Sequence, residues 1–338
     1  MEYRKLGRSG LTVSALCLGT MTFGDRTDER EAGRIVSEAA EAGVNFIDTA
    51  DQYAKGESER VTGRAIASNR HHWILATKVG NRMGPGWGEV GLSRRWMMRA
   101  IENSLQRLGT DYVDVYYLHY DDPDSPLEET LGAMGDIIRS GKARYFGISN
   151  YRGWRLTLLM QFAKELGVPA PVVCQPYYNA MNRQPEVEIL PACQHFGLGV
   201  AAYSPLARGV LTGKYQPGQP PPAETRAGRR DVRMMETEFR PESLAAAQEI
   251  VAHARKKGMS GAQFSINWVL NNALVSSAIT GPRTLEQWNE YQTGLKFKLD
   301  AEDEALIDRL VRPGHPSTPG YNDPRYPIRG RIAHSAPA

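Results

Sequence analysis

The sequence predicts an α/β fold: a single (β/α)8 barrel, or TIM barrel, with an N-terminal β-hairpin and long loops on its C-terminal face. Eight short segments rich in β-branched and aromatic residues recur along the chain, several of them nearly unbroken apolar runs typical of strands covered on both faces. Longer segments with helical spacing separate them, as in parallel βαβ units. No Gly/Ser-rich linker divides the series, which favours one closed barrel over two doubly wound domains. We therefore expect residues 1–338 to form one domain.

The predicted strands follow a short hairpin. Residues 1–14 contain two short extended segments joined by the turn Gly7-Arg8-Ser9-Gly10, and we expect this hairpin to plug the closed end of the barrel. The eight barrel strands are then predicted at residues 15–19, 45–48, 73–78, 113–119, 145–149, 172–175, 200–203 and 277–280.

The predicted helices lie between these strands. Asp28 is a suitable N-cap for a helix that reaches residue 42, and Gly43 ends it. Ser93 begins a second helix without a capping box, because Trp96 stands three residues later; the apolar residues after it still recur at helical spacing. Further helices are predicted at residues 127–138, 155–166, 187–196, 243–257, 262–270 and 285–295.

Two segments depart from the alternation. Residues 206–240 form a long loop that contains a proline-rich stretch at 216–222, and loops of this length inside compact domains are usually functional or disordered. Residues 313–338 form an extended tail with several prolines. Both segments fall on the loop side of the predicted barrel.

Composition excludes several classes of function. The formal net charge of +3, from 41 Lys and Arg against 38 Asp and Glu, is too small and too evenly spread to indicate a nucleic-acid partner. No apolar run approaches the roughly 18 residues of a membrane span, and residues 1–10 lack the apolar core of a secretion signal. Cys17, Cys174 and Cys193 show no ligand spacing, and the histidines do not pair with them or with carboxylates. We expect a cytoplasmic protein with reduced thiols and no metal.

Ionisable residues end three successive predicted strands. Asp48, Lys78 and His119 stand at these strand ends, and Tyr53 lies in the loop after Asp48. The carboxyl ends of barrel strands meet at one open mouth, and neighbouring strands lie about 4.8 Å apart. The four groups can therefore share one small volume.

Such a cluster suits the reduction of a carbonyl group. Free tyrosine, with a pKa near 10, gives up its proton reluctantly, and we expect the Lys78 ammonium to stabilise the phenolate of Tyr53. Asp48 supplies the counter-ion that keeps Lys78 charged, and His119 can orient a carbonyl oxygen. The group serves a reaction in which hydride reaches carbon while negative charge grows on oxygen.

Three segments resemble the signatures of the aldo-keto reductase superfamily. They are Gly43-Val-Asn-Phe-Ile-Asp48-Thr-Ala-Asp-Gln-Tyr53, Ala76-Thr-Lys78 and Tyr117-Leu-His119. The likeness is nearest to the branch that includes potassium-channel β-subunits and bacterial general-stress reductases. It implies a barrel fold and a catalytic tetrad of Asp48, Tyr53, Lys78 and His119. One departure is that Ala54-Lys55 precede Gly56-Glu57-Ser58-Glu59, where the family often has Gly-x-Ser-Glu directly.

The phosphates of a cofactor are expected at the last strands. Gly197-Leu-Gly199-Val-Ala-Ala202 matches a Rossmann fingerprint in letters, but it follows a helix and opens a strand, so we reject it. Barrels instead bind phosphates with loops after the last strands and with a helix N-terminus. The segments 204–214 and 281–284 meet this description.

The resemblance implies NADPH as the cofactor. It places Gly19, Thr20, Met21 and Asp48 near the nicotinamide ribose, Ser149, Asn150 and Gln175 at the carboxamide, Tyr203 against the nicotinamide ring, Arg283 at the 2′-phosphate, and Gln287 and Glu290 at the adenine. Further implied contacts are Ser204, Pro205, Leu206, Gly209, Leu211, Gly213, Lys214, Ile279, Gly281 and Thr284. Tyr291 stands where the family often has Asn.

The expected partner is a small-molecule carbonyl substrate, with a homo-oligomer as a further possibility. Phe23, Trp87 and Tyr120 are aromatic candidates for the substrate pocket, and Tyr321 or Tyr326 could reach over it from the tail. Two alternatives to a reductase remain open at this stage. One is an NADPH-sensing module with little turnover; the other is a lyase that uses Lys78 as a Schiff-base nucleophile.

Overall fold

The computed structural model describes residues 1–86 and 88–328. Eight parallel strands close into a barrel in which each pairs with the next along the chain and the last pairs with the first, which confirms the predicted (β/α)8 fold. The hairpin consists of β1 (Tyr3–Lys5) and β2 (Thr12–Ser14). The barrel strands are β3 (Leu16–Gly19), β4 (Phe46–Asp48), β5 (Ile74–Val79), β6 (Val113–Leu118), β7 (Ala143–Ser149), β8 (Val173–Gln175), β9 (Gly199–Tyr203) and β10 (Ser277–Thr280).

Helices surround the barrel, and those predicted from the sequence form with ends shifted by a few residues. They are α1 (Glu29–Glu41), α2 (Glu57–Ile66), α3 (Arg94–Leu108), α4 (Leu127–Arg139), α5 (Gly153–Glu165), α6 (Ile189–Phe196), α7 (Val232–Thr237), α8 (Pro241–Lys256), α9 (Gly261–Asn271), α10 (Leu285–Gly294) and α11 (Ala301–Leu310). Short 3-10 segments occupy Tyr53–Gly56, Ala67–His72, Gln184–Glu186 and Ala207–Thr212.

The sequence did not predict α2, α7 and α11. No side chain caps the start of α2, whose N-cap is Gly56 in the left-handed region, so the usual signal is missing. The α7 helix has six residues and lies within the long loop 206–240. By contrast, α11 carries a capping box between Asp300 and Asp303, a signal that the sequence does contain.

The hairpin closes the N-terminal end of the barrel. The Arg8 amide donates to the carbonyl of Gly197 at 2.8 Å, and the Ser276 hydroxyl donates to the carbonyl of Lys5 at 3.0 Å. Gly7 has φ +62°, and a Cβ there would lie 2.4 Å from the Gly199 nitrogen, so a side chain does not fit. Leu6 is fully buried with the side chains of the barrel interior. The opposite end is thus left as the mouth.

Apolar helix faces pack on the outside of the barrel. Ile35, Val36 and Ala39 of α1 are buried on one stripe, as their spacing predicted. The Asp28 carboxylate caps α1 by accepting from the Glu31 amide at 2.9 Å. This outer layer and the strands form one hydrophobic core.

The tail and the long loop meet at the C-terminal face. The Ser317 amide donates to the carbonyl of Met181 beyond β8, at 2.9 Å. The Arg233 guanidinium in α7 forms two hydrogen bonds to the Asp323 carboxylate, of 3.0 and 2.6 Å. We call this ion pair the clasp. It joins the loop 206–240 to the tail.

Other kinds of site find no support in the described part of the chain. No three or more His, Cys, Asp and Glu residues in it are arranged to hold a metal ion. Its helices are too short or too polar to traverse a bilayer. Cys17, Cys174 and Cys193 are buried free thiols.

Two helix glycines provide a matched test of the packing. A Cβ on Gly63 in α2 would lie 2.2 Å from the Leu108 carbonyl oxygen, whereas a Cβ on Gly33 in α1 meets nothing within 4 Å. We expect Gly63→Ala to lower the free energy of unfolding by about 1–3 kcal/mol through overpacking. Gly33→Ala should raise it by about 0.5–1 kcal/mol, because alanine favours a helix. Urea unfolding measures both, and equal shifts would contradict the packing described.

Candidate active site

Adjacent strands place the four predicted catalytic residues together at the mouth. Asp48 is the last residue of β4, Lys78 lies in β5, and His119 directly follows β6. The strand register pairs Asp48 with Ala76 and Lys78 with Tyr117, so Lys78 and His119 each lie two residues beyond the partner of the functional residue on the preceding strand.

Lys78 is the centre of the cluster. Its side chain is fully buried, and its ammonium forms an ion pair with Asp48. It also donates to the Thr49 carbonyl at 2.7 Å and to the Tyr53 hydroxyl at 3.3 Å. Three acceptors therefore fix the position of this charge, and one of them is the phenol that the sequence singled out.

Burial and neighbouring charge act in opposite directions on the pKa values of Lys78 and Tyr53. Burial opposes the charge of Lys78, but the attraction of Asp48 and Tyr53 outweighs it, so the pKa of Lys78 lies above its ordinary value. Burial raises the pKa of Tyr53 above its ordinary value, and Lys78 acts against that rise. The expectation of an acidified phenol therefore needs correction, because the ammonium lessens the effect of burial without reversing it. Tyr53 is a protonated phenol at neutral pH.

The carboxylate of Asp48 is held on both oxygens. Besides its ion pair with Lys78, it accepts a hydrogen bond of 2.9 Å from the side-chain amide of Gln175 at the end of β8. The Gln175 carbonyl in turn accepts from the Ser149 hydroxyl at 2.8 Å. Strand ends on opposite sides of the mouth are thus connected across the barrel.

His119 faces Tyr53. The two ring centroids lie 6.0 Å apart in an edge-to-face arrangement. Burial, followed by the charges of Lys78 and Arg325, holds the pKa of His119 well below its ordinary value, so the imidazole is neutral. The Asn150 side chain donates to the His119 carbonyl at 2.9 Å and accepts from the Tyr203 hydroxyl at 2.8 Å.

The loop after Tyr53 accommodates the two residues that depart from the family pattern, Ala54 and Lys55. Ala54 and Lys55 both have positive φ, of 47° and 54°, a conformation that side chains disfavour by roughly 1–2 kcal/mol per residue. The Ser58 hydroxyl then anchors the chain by donating to the Thr20 carbonyl at 2.7 Å. The two extra residues form a compact left-handed turn, and Tyr53 stays within reach of Lys78.

A cluster of cations lies in and beside the segments that follow β9 and β10. We call Lys214, Arg226 and Arg283 the cation cluster. Partial burial and the charges of Arg283 and Arg226 lower the pKa of Lys214 to about 8. Burial, with the charge of Arg208 next, lowers the pKa of Arg226 to about 10.

None of the three forms an ion pair with a carboxylate in the described ranges, and Trp87 and residues 329–338 contain no Asp or Glu. Because Arg283 and Arg226 both lower the pKa of Lys214, the positive charge gathered here favours an anionic ligand. Arg226 was not predicted, because it lies in an irregular loop without a motif.

The remaining predicted cofactor residues lie on the same face. Gly19 ends β3 and Thr20 and Met21 follow it, whereas Asn150 follows β7 and Tyr203 ends β9. Thr284 is the N-cap of α10, and Gln287 accepts a hydrogen bond from the Arg283 amide at 2.9 Å. The other predicted contacts lie in the segment after β9, in β10 and just after it, and in α10: Ser204, Pro205, Leu206, Gly209, Leu211, Gly213, Ile279, Gly281 and Glu290.

The aromatic residues predicted to line the substrate pocket lie in different surroundings. Phe23 is fully buried in the core, so it does not line the mouth, and that part of the prediction is corrected. Trp87 lies outside the described residues. Tyr120 is partly buried beside Gly80, at the end of β5. Tyr321 stacks on the Arg240 guanidinium at 3.7 Å, whereas Tyr326 lies near Tyr53, which contributes to the raised pKa of Tyr326.

The fold and site together define a class of protein, a parallel barrel enzyme with a phenol, an ammonium, a carboxylate and an imidazole gathered at its open end. Comparison with known proteins identifies the family. A model of the aldo/keto reductase family matches residues 15–312, and this chain belongs to that family. It is therefore an oxidoreductase of a family that acts on small carbonyl compounds with nicotinamide cofactors.

Its relatives carry two kinds of name. The chain is 38% identical over 286 residues to a probable voltage-gated potassium channel subunit beta of Oryza sativa subsp. japonica, covering 83% of this chain and 87% of the relative. It is 37% identical over 333 residues to the uncharacterized oxidoreductase YrpG of Bacillus subtilis (strain 168), covering 95% and 99%. It is 34% identical over 327 residues to the L-glyceraldehyde 3-phosphate reductase of Escherichia coli (strain K12), covering 93% of each.

The buried ion pair can be tested through stability. Lys78→Met leaves the Asp48 carboxylate without its cation, and we expect a loss of about 3–5 kcal/mol in the free energy of unfolding. The double variant Asp48→Asn/Lys78→Met removes both charges and should be more stable than the single Lys78 variant. Denaturant unfolding of the four proteins of the cycle gives the coupling energy. Additive effects would contradict a direct interaction between the two groups.

Proposed function

We propose that this protein reduces aldehydes or ketones to alcohols with NADPH, using Tyr53 as the general acid. The observation that carries the proposal is the phenol of Tyr53, 3.3 Å from the buried ammonium of Lys78 and edge-to-face with His119. Membership of the aldo/keto reductase family supports the same reaction class.

The four side chains divide the proton chemistry among them. Bound NADPH supplies the hydride that the carbonyl carbon accepts. Tyr53 is protonated at neutral pH and donates its proton to the carbonyl oxygen. Lys78 then stabilises the phenolate that remains, and Asp48 keeps Lys78 charged inside the barrel. His119, which is neutral, is available as a hydrogen-bond partner that orients the oxygen.

The cation cluster supports NADPH over NADH. NADPH differs from NADH by one phosphate group, which needs cations without other partners. Lys214, Arg226 and Arg283 meet this need, since no carboxylate in the described ranges forms an ion pair with them. Residues Gly209 and Gly213, with φ of +96° and +79°, shape the neighbouring loop, where a Cβ on Gly209 would lie 2.7 Å from the Lys214 nitrogen.

The lyase alternative has little support. A Schiff base requires a neutral amine, but the amine of Lys78 is held as an ammonium by three acceptors, and its pKa is raised. The binding-module alternative is favoured by relatives that are named channel subunits. It predicts tight NADPH binding with negligible turnover by the unaltered protein, so steady-state turnover over a panel of aldehydes decides between it and the reductase.

Tyr53→Phe tests the general acid. Loss of the phenolic proton should lower kcat for aldehyde reduction by roughly 10²–10⁴-fold. The dissociation constant for NADPH should change little, because the ring remains. Absorbance at the nicotinamide band measures turnover, and fluorescence titration measures binding.

The control is Tyr112→Phe. Tyr112 lies directly before β6, away from the mouth, and the substitution removes a hydroxyl that contacts His71. It should keep full activity. Undiminished turnover by the Tyr53 variant would remove this residue as the proton donor.

The cation cluster predicts both a nucleotide preference and a pH dependence. Arg226→Gln should weaken NADPH binding by roughly tenfold or more while NADH binding changes little, as expected for loss of a charged hydrogen bond. In the protein without nucleotide the pKa of Lys214 is about 8, so the positive charge of this side chain is lost as pH rises through that value. NADPH affinity should therefore fall above about pH 8, with proton uptake on binding measurable by calorimetry in buffers of different ionisation enthalpy.

Arg230→Gln is the matched control, since Arg230 is exposed in the same loop. Equal weakening of NADPH and NADH by Arg226→Gln would contradict a role at the extra phosphate.

A further inference from the structure

One cation at the mouth is not used by the proposed proton chemistry. Arg325, in the tail, extends its guanidinium to the side-chain oxygen of Asn81, just beyond β5. Asn81 is neutral, and no carboxylate lies within ion-pair distance of Arg325 in residues 1–86 and 88–328. The residues outside these ranges contain no Asp or Glu. Arg325 therefore has no carboxylate side chain to neutralise it.

The backbone around Arg325 is fixed from two sides. Its amide donates to the Asp323 carboxylate at 3.0 Å, and Asp323 is itself held by Arg233 through the clasp. On the other side, the Arg152 guanidinium beyond β7 donates to the Tyr326 carbonyl at 2.6 Å. Arg233 of the long loop and Arg152 beyond β7 thus hold the short segment that carries Arg325. Its position is a property of the fold.

Arg325 lies beside the residues that would receive a substrate. Its positive charge contributes, after burial and Lys78, to the low pKa of His119. It also opposes the rise in the pKa of Tyr120 and of its chain neighbour Tyr326, and Tyr53 contributes to the raised pKa of Tyr326. The guanidinium, in contact with Asn81 just beyond β5, therefore lies on the side of the mouth that holds the imidazole of His119. It is separate from the cation cluster, because Arg325 is not among the charges that lower the pKa of Lys214 or of Arg226.

We propose that Arg325 binds an oxyanion of the substrate, so that this site prefers small aldehydes or ketones with a carboxylate or phosphate a few bonds from the carbonyl group. The inference rests on the proposed function and deepens it, since it names the substrate class of the same site. The guanidinium fork matches two oxygens of either anion. Because Arg325 is exposed, the free-energy cost of desolvating it for this contact is small. On binding, its guanidinium exchanges the neutral amide of Asn81 for a charged partner.

Two pairs of compounds separate charge from shape. 4-Carboxybenzaldehyde is compared with methyl 4-formylbenzoate, and glyceraldehyde 3-phosphate with glyceraldehyde, each with saturating NADPH. For the unaltered protein we expect a higher kcat/KM for the anionic member of each pair. Arg325→Gln should lower kcat/KM for the anionic member roughly 10- to 100-fold and leave the neutral member within about twofold. The two pairs show which of the two anions the site prefers.

Two further variants control for charge alone. Lys5→Gln removes one exposed positive charge from β1, at the closed end of the barrel, and should leave both members of each pair unchanged. Arg325→Lys keeps the charge without the fork and should retain part of the preference. Equal effects of Arg325→Gln on charged and neutral substrates would overturn the proposal.

A binding measurement keeps this proposal distinct from the proposed function. Titration of the NADPH-loaded protein with benzoate and with benzamide reports anion binding without turnover. Weaker benzoate binding in Arg325→Gln, with benzamide unaffected, supports the oxyanion site even if no aldehyde is reduced. Equal benzoate affinity in the two proteins overturns it even if aldehydes are reduced well.

Discussion

The site depends on one interaction, the ion pair between Lys78 and Asp48 inside the mouth of the barrel. An isolated ammonium would not remain charged where no part of its side chain reaches water. The carboxylate on the neighbouring strand and the Thr49 carbonyl make that charge stable, and the phenol of Tyr53 is the remaining acceptor. Moving any one of these strands in register would separate the groups, because a shift of one residue turns a side chain to the other face of the strand.

The closed end of the barrel provides the apolar packing beneath this ion pair. The hairpin covers the N-terminal ends of β9 and β10, and Gly7 allows its backbone to approach that of Gly199 too closely for any side chain. Apolar side chains fill the interior between the hairpin and the site. The ionisable groups therefore have packed apolar side chains between them and the hairpin. Burial is the largest cause of the raised pKa of Tyr53 and of the lowered pKa of His119.

The sequence predicted regular features better than irregular ones. Strand ends are governed by local patterns, so the eight strands and the positions of Asp48, Lys78 and His119 at their ends followed from the residues. Arg226 and Arg325 were missed because loop and tail geometry depends on distant contacts such as the clasp, which no local pattern encodes. Phe23 was misplaced for a related reason: an aromatic residue after a strand can face either the mouth or the core, and here the core buries it completely.

The division between strand ends and loops also separates two tasks. The groups proposed for proton transfer are anchored by neighbouring strands, whose register is set by backbone hydrogen bonds. The groups proposed for nucleotide and substrate choice lie in the segment 206–240, after β10 and in the tail. The clasp between Arg233 and Asp323 joins this loop to this tail, so displacement of one must strain the other. Selectivity for the nucleotide and for the substrate is thus carried by segments that can change sequence without disturbing the buried ion pair.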